Sequence, residues 1–172
     1  MAENPLRYLT VLFDWGDTVM YDDPASTVPM VEWTTIKAVE GIADVLADLH
    51  YSGRRIILAT SALVSDQDQI RGALARAELD SYFSQIYCFK NTHLPKGQAF
   101  YRHILDDLDI PASDVLMVGD SFEYDVRIPN AVRIFAVWFN QRSGEIRNNE
   151  LHTTIHSTYD LRIFFRMFGN LK

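Results

Sequence analysis

Val115-Leu116-Met117-Val118-Gly119-Asp120-Ser121-Phe122-Glu123-Tyr124-Asp125 joins a short apolar run to a glycine, a carboxylate and a polar turn. Val115 to Val118 is too short for a helix and reads as a buried strand, which leaves Gly119-Asp120 at its carboxyl end. The same pattern recurs in both directions. Tyr8 to Phe13 reads as a strand followed by Asp14, Arg55 to Thr60 as a second ending on a hydroxyl, Gln85 to Phe89 as a third and Ile134 to Phe139 as a fifth. Helix-period segments lie between them. Glu40 to His50 repeats apolar residues at Ile42, Val45, Leu46 and Leu49, and Gln69 to Leu79 at Ile70, Ala73, Leu74 and Ala77. Gln98 to Leu108 does so at Phe100, Tyr101, Ile104, Leu105 and Leu108. Ser157-Thr158-Tyr159-Asp160 has capping-box spacing, and Leu161, Phe164, Phe165 and Phe168 then form the apolar stripe of a last helix.

Strands alternating with helices predict an α/β fold in three layers, a doubly wound parallel sheet of Rossmann-like type covered on both faces. At 172 residues the chain has the length of a single domain spanning 1–172. Hydrophobic residues make up 48% and charged residues 23%, which excludes a disordered or fibrous chain. The net charge of −7 argues against a nucleic-acid partner. Cys88 is the single cysteine, so no internal disulfide points to an oxidising compartment. Met1 to Thr10 lacks the pattern of a secretory signal, and the apolar runs fall far short of the roughly 20 residues of a membrane span. A soluble, cytoplasmic protein with no membrane partner is expected.

Sheets of this kind place ligand chemistry at the carboxyl ends of their strands, near the topological switch point. Those ends carry Asp14, Thr60 and Gly119-Asp120, with Lys96 between the third strand and the following helix. Any one of these has a plain reading, as a turn residue, a helix cap or a solvated charge. Their order along the chain is more specific.

That order resembles the haloacid dehalogenase (HAD) superfamily of aspartate-nucleophile hydrolases. Val11-Leu12-Phe13-Asp14-Trp15-Gly16-Asp17-Thr18-Val19 is similar to the superfamily's opening motif, and Ile56-Ile57-Leu58-Ala59-Thr60-Ser61 to its second. Lys96 stands where its lysine is expected, Val115 to Asp125 matches its last motif, and Val137-Trp138-Phe139-Asn140 continues it. The resemblance implies an Mg²⁺-dependent phosphohydrolase in which Asp14 attacks a phosphoryl group and forms an aspartyl-phosphate that water hydrolyses. Asp14, Asp120 and the Gly16 carbonyl would hold Mg²⁺, with Asp125 at the same site, positioning a metal-bound water or bracing the loop. Four carboxylates, Asp14, Asp17, Asp120 and Asp125, would repel a phosphate unless a cation offset them. Thr60, Ser61 and Lys96, with main-chain N–H groups of the Asp14–Asp17 turn, would bind the phosphoryl oxygens.

The pattern departs from the superfamily at one position. Its phosphatases carry a second aspartate two residues after the nucleophile as general acid and base, and here that residue is Gly16, with Asp17 one further on. Three readings stay open: Asp17 swings in as the donor, helped by the freedom of Gly16; the leaving group needs no donor and Asp17 braces the turn; or turnover is very slow. In the third case the chain is a catalytically weakened module that binds a phospholigand or a partner protein. An imine-forming phosphonate reading would rest on Lys37 alone, and a receiver-domain reading conflicts with Asp14 following the first strand. Met20 to Val39 leaves an insert of about 20-39, too short for the helical cap many members carry, so no sizeable cap domain is expected. An open site suits a small-molecule phosphate ester, a phosphorylated macromolecule, or a homo-oligomer whose neighbours cover it. Tyr21, Trp33 and the Asp22-Asp23-Pro24 turn would form a rim, although packing and turn chemistry explain them equally well. His152 and His156 share i, i+4 spacing without a zinc signature, and His93 reads as a loop histidine.

Overall fold

The computed structural model describes residues 8–169, so most of the stretch read for a signal lies outside the described residues. Along the chain the elements are β1 (Thr10–Phe13), α1 (Ile42–Tyr51), β2 (Arg55–Ala59), α2 (Gln67–Arg76), β3 (Gln85–Tyr87) and α3 (Phe89–Thr92). They continue with α4 (Gln98–Leu108), β4 (Val115–Gly119), α5 (Ile128–Ala131), β5 (Phe135–Phe139), β6 (His152–Ile155) and α6 (Thr158–Gly169). The strands form one sheet in the order β3-β2-β1-β4-β5-β6, with every pair parallel.

Alternation along β1 separates two cores. Val11 and Phe13 pack on one face with Ile42, Leu46 and Leu49 of α1, Ile70 and Leu74 of α2, and Leu161 and Phe165 of α6. Leu12 faces the other way, against Phe100, Tyr101 and Ile104 of α4 and Val126. Because successive strand residues point to opposite faces, a sheet covered on both sides needs the continuous apolar runs seen here. The described residues thus build the three layers expected.

Element limits shift where local chemistry intervenes. α2 begins two residues earlier than the apolar period suggested, because Asp66 accepts from the Gln69 amide at 2.9 Å and the Gln69 side chain accepts from the Asp66 amide at 2.9 Å. The third strand stops at Tyr87, and Phe89 opens α3 instead, with buried Cys88 as its cap. A sixth strand joins the five of the sequence reading: Thr153 and Thr154 are half-buried at the sheet edge and carry no strong apolar signal. The two histidines around it have separate partners. His152 Nδ1 lies 2.8 Å from Asn130 Oδ1, and His156 Nδ1 lies 2.8 Å from the Asn140 carbonyl oxygen. At α6, Ser157 Oγ accepts from the Asp160 amide at 3.0 Å and donates to the Asp160 carboxylate at 2.6 Å. Leu161, Phe164 and Phe165 are buried as expected, while the side chain of Phe168 lies outside the described residues.

The insert after the first strand folds back as a strap. Met20 bridges Ala38 in antiparallel fashion, and the Tyr21 amide donates to the Lys37 carbonyl at 2.9 Å. Arg76 of α2 then ties the strap down, donating to the carbonyls of Val31 and Trp33 at 2.8 Å and of Thr34 at 3.3 Å. Trp33 Nε1 in turn donates to Ser26 Oγ at 3.0 Å.

Leu12 is fully buried in a central strand, so Leu12→Ala is expected to lower stability by about 2–5 kcal/mol. Urea unfolding should show this as a fall in midpoint with little change in slope.

Candidate active site

β1 has β2 on one side and β4 on the other, so the chain reverses its direction of travel across the sheet at this point. The carboxyl edges of β1 and β4 therefore frame a crevice. The Asp14 amide donates to the Val118 carbonyl at 2.9 Å, which extends the ladder by one residue and brings the Asp14 side chain out at that edge. Lys96, two residues before α4, reaches the same place: its Nζ lies 2.7 Å from Asp14 Oδ1 and 2.5 Å from Asp125 Oδ1. The lysine side chain is only 2% exposed, so this charge depends on its two carboxylate partners.

Asp125 comes from a π-helical turn, Phe122–Arg127, that follows β4. The Ser121 amide donates to its Oδ2 at 3.0 Å, and the Tyr101 hydroxyl pins the turn by donating to the Tyr124 carbonyl at 2.8 Å. Gly119 makes the arrangement possible. A β-carbon at Gly119 would lie 2.3 Å from the Asp125 carboxylate, so the end of β4 must carry no side chain. Asp120 is set by its own carbonyl, which accepts from Trp138 Nε1 of β5 at 2.9 Å. Thr60 is buried past β2, its amide bound to the Tyr87 carbonyl and its Oγ1 accepting from the Ala62 amide at 3.1 Å, whereas Ser61 is exposed.

Carboxylate oxygens of Asp14, Asp120 and Asp125 lie within 4.8 Å of one another. Burial raises the Asp120 pKa to about 6, and the Asp14 charge adds to this against the lowering pull of Arg142. Burial likewise pushes Asp125 up to about 7, opposed by the Lys96 ammonium and reinforced by Asp14. For Lys96, burial works against the charge, but Asp125 and Asp14 outweigh it and hold the ammonium above its usual range. One ammonium does not neutralise three clustered carboxylates. Asp125 Oδ1 has no well-directed hydrogen bond, and among the described residues no donor is directed at the Gly16 carbonyl oxygen. A hard-oxygen set with excess negative charge fits a small divalent cation.

The turn after Asp14 differs from its sequence reading. Trp15 O accepts from the amides of Val19 at 3.0 Å and Met20 at 2.9 Å, and the Asp17 amide donates to Met20 O at 2.7 Å. The left-handed residue is Asp17, with φ 55°, while Gly16 is not in that region. Asp17 Oδ2 pairs with the Arg142 guanidinium at 2.5 Å, and Oδ1 accepts from the Asp22 amide at 3.1 Å. Both oxygens of Asp17 are thus engaged in holding the turn.

Two further charged residues join the site: Arg142, which the sequence reading did not single out, and Asp22, which it read only as part of a rim turn. Arg142 lies 3.6 Å from Asp120 Oδ2 as well as pairing with Asp17. Asn140 holds its loop, accepting from the amides of Arg142 at 3.3 Å and Ser143 at 3.2 Å. The end of the fifth strand was the available signal, since Arg142 follows Asn140 by two residues. The second is Asp22, whose partly desolvated carboxyl is raised in pKa, lowered in part by the Asp23 main chain and raised again by the Asp17 and Asp14 charges. The open cleft has a volume of about 480 Å³, with Asp14, Thr60, Lys96 and Asp120 on its floor and Asp22 and Trp33 in its wall. His93 is not among its lining residues.

A sequence model of haloacid dehalogenase-like hydrolases matches residues 21–139, and the chain belongs to that family. The match begins after Asp14, so the assignment does not depend on the altered first motif. No curated protein matches the chain. Among solved structures, an uncharacterized protein from Listeria monocytogenes serotype 4b shares 18% identity, with 92% of this chain and 97% of that one covered at a TM-score of 0.78. A HAD phosphatase from Thermococcus onnurineus shares 16% identity over 90% and 96% of the two chains, with a TM-score of 0.67. A Bacillus subtilis protein whose structure is bound to magnesium shares 12% identity over 92% and 99%, with a TM-score of 0.71. These likenesses extend over nearly the full length of chains that have the same fold. No helix among the described residues is long and apolar enough to cross a membrane.

Gly119→Ala is expected to displace Asp125 and to destabilise the protein by about 1–3 kcal/mol, as overpacking does. Thermal unfolding should record the loss, and a crystal structure of the variant should show the Ser121–Asp125 hydrogen bond broken.

Proposed function

We propose that the protein is an Mg²⁺-dependent phosphohydrolase acting on phosphomonoesters through an aspartyl-phosphate on Asp14. One observation carries the reading: Asp14 stands at the carboxyl end of β1 on the floor of an open cleft, paired with a buried lysine and faced by two more carboxylates. An isolated structural ion pair does not require that excess of negative charge. Asp14, Asp120 and Asp125, with the Gly16 carbonyl, would hold Mg²⁺, and the hard-oxygen set and magnesium in the Bacillus subtilis relative support this choice. When bound, the ion supplies positive charge that lets a phosphate dianion approach these carboxylates.

The remaining steps follow from the chain's own residues. Lys96 fixes the Asp14 carboxylate, so an Asp14 oxygen is oriented for in-line attack on phosphorus. The new O–P bond forms as the bond to the leaving oxygen breaks, and that oxygen takes up a proton. Lys96, the Thr60 hydroxyl and the main-chain N–H groups of the first turn stabilise the equatorial oxygens, with Ser61 at the cleft mouth. Water then attacks phosphorus, gives up a proton, and breaks the Asp14–phosphate bond to release inorganic phosphate. Substrate breadth follows from the strap: at about 480 Å³ and open to solvent, the cleft admits a small ester or a phosphorylated side chain of a macromolecule.

With p-nitrophenyl phosphate and Mg²⁺, the wild type should turn over and EDTA should abolish the activity. Asp14→Asn should remove turnover and the acid-stable phosphoprotein seen by mass spectrometry, without altering the circular dichroism spectrum. Residual activity of more than a few per cent in purified Asp14→Asn would refute the nucleophile. Separately, Asp120→Ala is expected to abolish Mg²⁺ binding in calorimetric titration, and unchanged binding would refute the metal site.

A further inference from the structure

The residue that should carry the acid–base proton is missing from position 16, but the space it would occupy is filled. A β-carbon built on Gly16 would lie 2.8 Å from Asp22 Oδ2, 3.1 Å from Asp22 Cβ and 3.2 Å from Asp22 Cγ. The carboxylate of Asp22 therefore sits against the backbone where a side chain at position 16 would begin. It arrives there from the strap rather than from the first turn. Resting on the phosphohydrolase reading above, we propose that Asp22 is the general acid that protonates the leaving-group oxygen and the general base that activates the hydrolytic water.

The other carboxylates lining the cleft have separate engagements. Asp14 is held by Lys96 as the nucleophile, and Asp120 and Asp125 complete the cation set. Asp17 is bound by Arg142 and by the Asp22 amide. Asp23 Oδ1 accepts from the Ala25 amide at 3.0 Å and closes its own turn. Among the described residues no side chain donates to the Asp22 carboxylate. Asp22 is therefore the cleft carboxylate left to exchange a proton with substrate.

Its placement is built in. The Asp22 amide is anchored on Asp17 Oδ1 at 3.1 Å, and the preceding Tyr21 amide on the Lys37 carbonyl at 2.9 Å. The left-handed backbone at Asp17 directs that carboxylate towards Arg142 and the Asp22 amide, so Asp17 positions the donor rather than acting as one. Gly16 gives the donor room: a β-carbon there would press on the Asp22 carboxylate, which would have to shift.

The proton balance closes over one cycle. As the Asp14–phosphorus bond forms and the ester P–O bond breaks, the Asp22 carboxyl proton passes to the departing oxygen and leaves a carboxylate. When water attacks the aspartyl-phosphate, that carboxylate takes the water's proton, the Asp14–phosphorus bond breaks, and phosphate departs with both aspartates restored.

The test compares two probes that differ in leaving group, β-glycerol phosphate and p-nitrophenyl phosphate, with Mg²⁺ present. Asp22→Asn should lose about 10²–10⁴-fold on the alkyl ester, the usual span of general acid–base catalysis, and far less on the nitrophenyl ester, whose leaving group needs no proton. The swap Gly16→Asp with Asp22→Gly should recover alkyl-ester turnover over Asp22→Gly alone, because the carboxylate returns from position 16 into the space left by the Asp22 side chain. Equal losses on both probes, or unchanged alkyl turnover in Asp22→Asn, would overturn the assignment while leaving Asp14 and the phosphohydrolase reading intact. No turnover of either probe by the wild type would overturn the phosphohydrolase reading itself.

Discussion

Lys96 holds the site together. Its ammonium, buried beneath the sheet edge, touches Asp14 from β1 and Asp125 from the turn after β4, and so joins two strand ends that are adjacent in space and about a hundred residues apart in sequence. Taking three charges out of water is expensive, and removing one partner of a buried pair costs about 3–5 kcal/mol because the other is left uncompensated. The constraint spreads outward. Gly119 must lack a side chain so that Asp125 can reach the lysine, the Ser121 amide must satisfy the other Asp125 oxygen, and Tyr101 must hold the π-helical turn in place. π-helical turns are rare, and this one aims the Asp125 carboxylate at the lysine.

Around that floor the walls are held by different means. The strap is secured by Met20, Met30 and Val39, which are buried in the core shared with α1 and α2, by main-chain carbonyls bound to Arg76 and by a short antiparallel bridge. Arg142 closes the opposite side, pairing with Asp17 while mostly exposed, an interaction that solvent screens. The floor and walls together leave an open cleft.

Much of this was legible in the chain. Continuous apolar runs at Tyr8 to Phe13, Arg55 to Thr60 and Val115 to Val118 state a sheet covered on both faces, because a strand buried on both sides has no polar alternation. Helical periods in between require parallel crossovers, which place Asp14, Thr60 and Asp120 at one edge. Lys96 required the family resemblance, since a loop lysine by itself signals nothing. β6 was obscured because Thr153 and Thr154 are half-buried at an edge, and the first turn of α2 because a cap, not apolar spacing, starts it.

The sequence by itself determined the layers, the edge on which chemistry is gathered and the absence of a carboxylate at position 16, since each follows from local pattern or residue identity. Only the tertiary structure decided where the nearby charges go. The left-handed turn at Asp17 sends its carboxylate to Arg142, and the strap brings Asp22 against Gly16. No periodicity or spacing encodes these contacts. They arise because main-chain geometry, set by hydrogen bonds across segments distant in sequence, determines which partner each of several chemically identical aspartates takes.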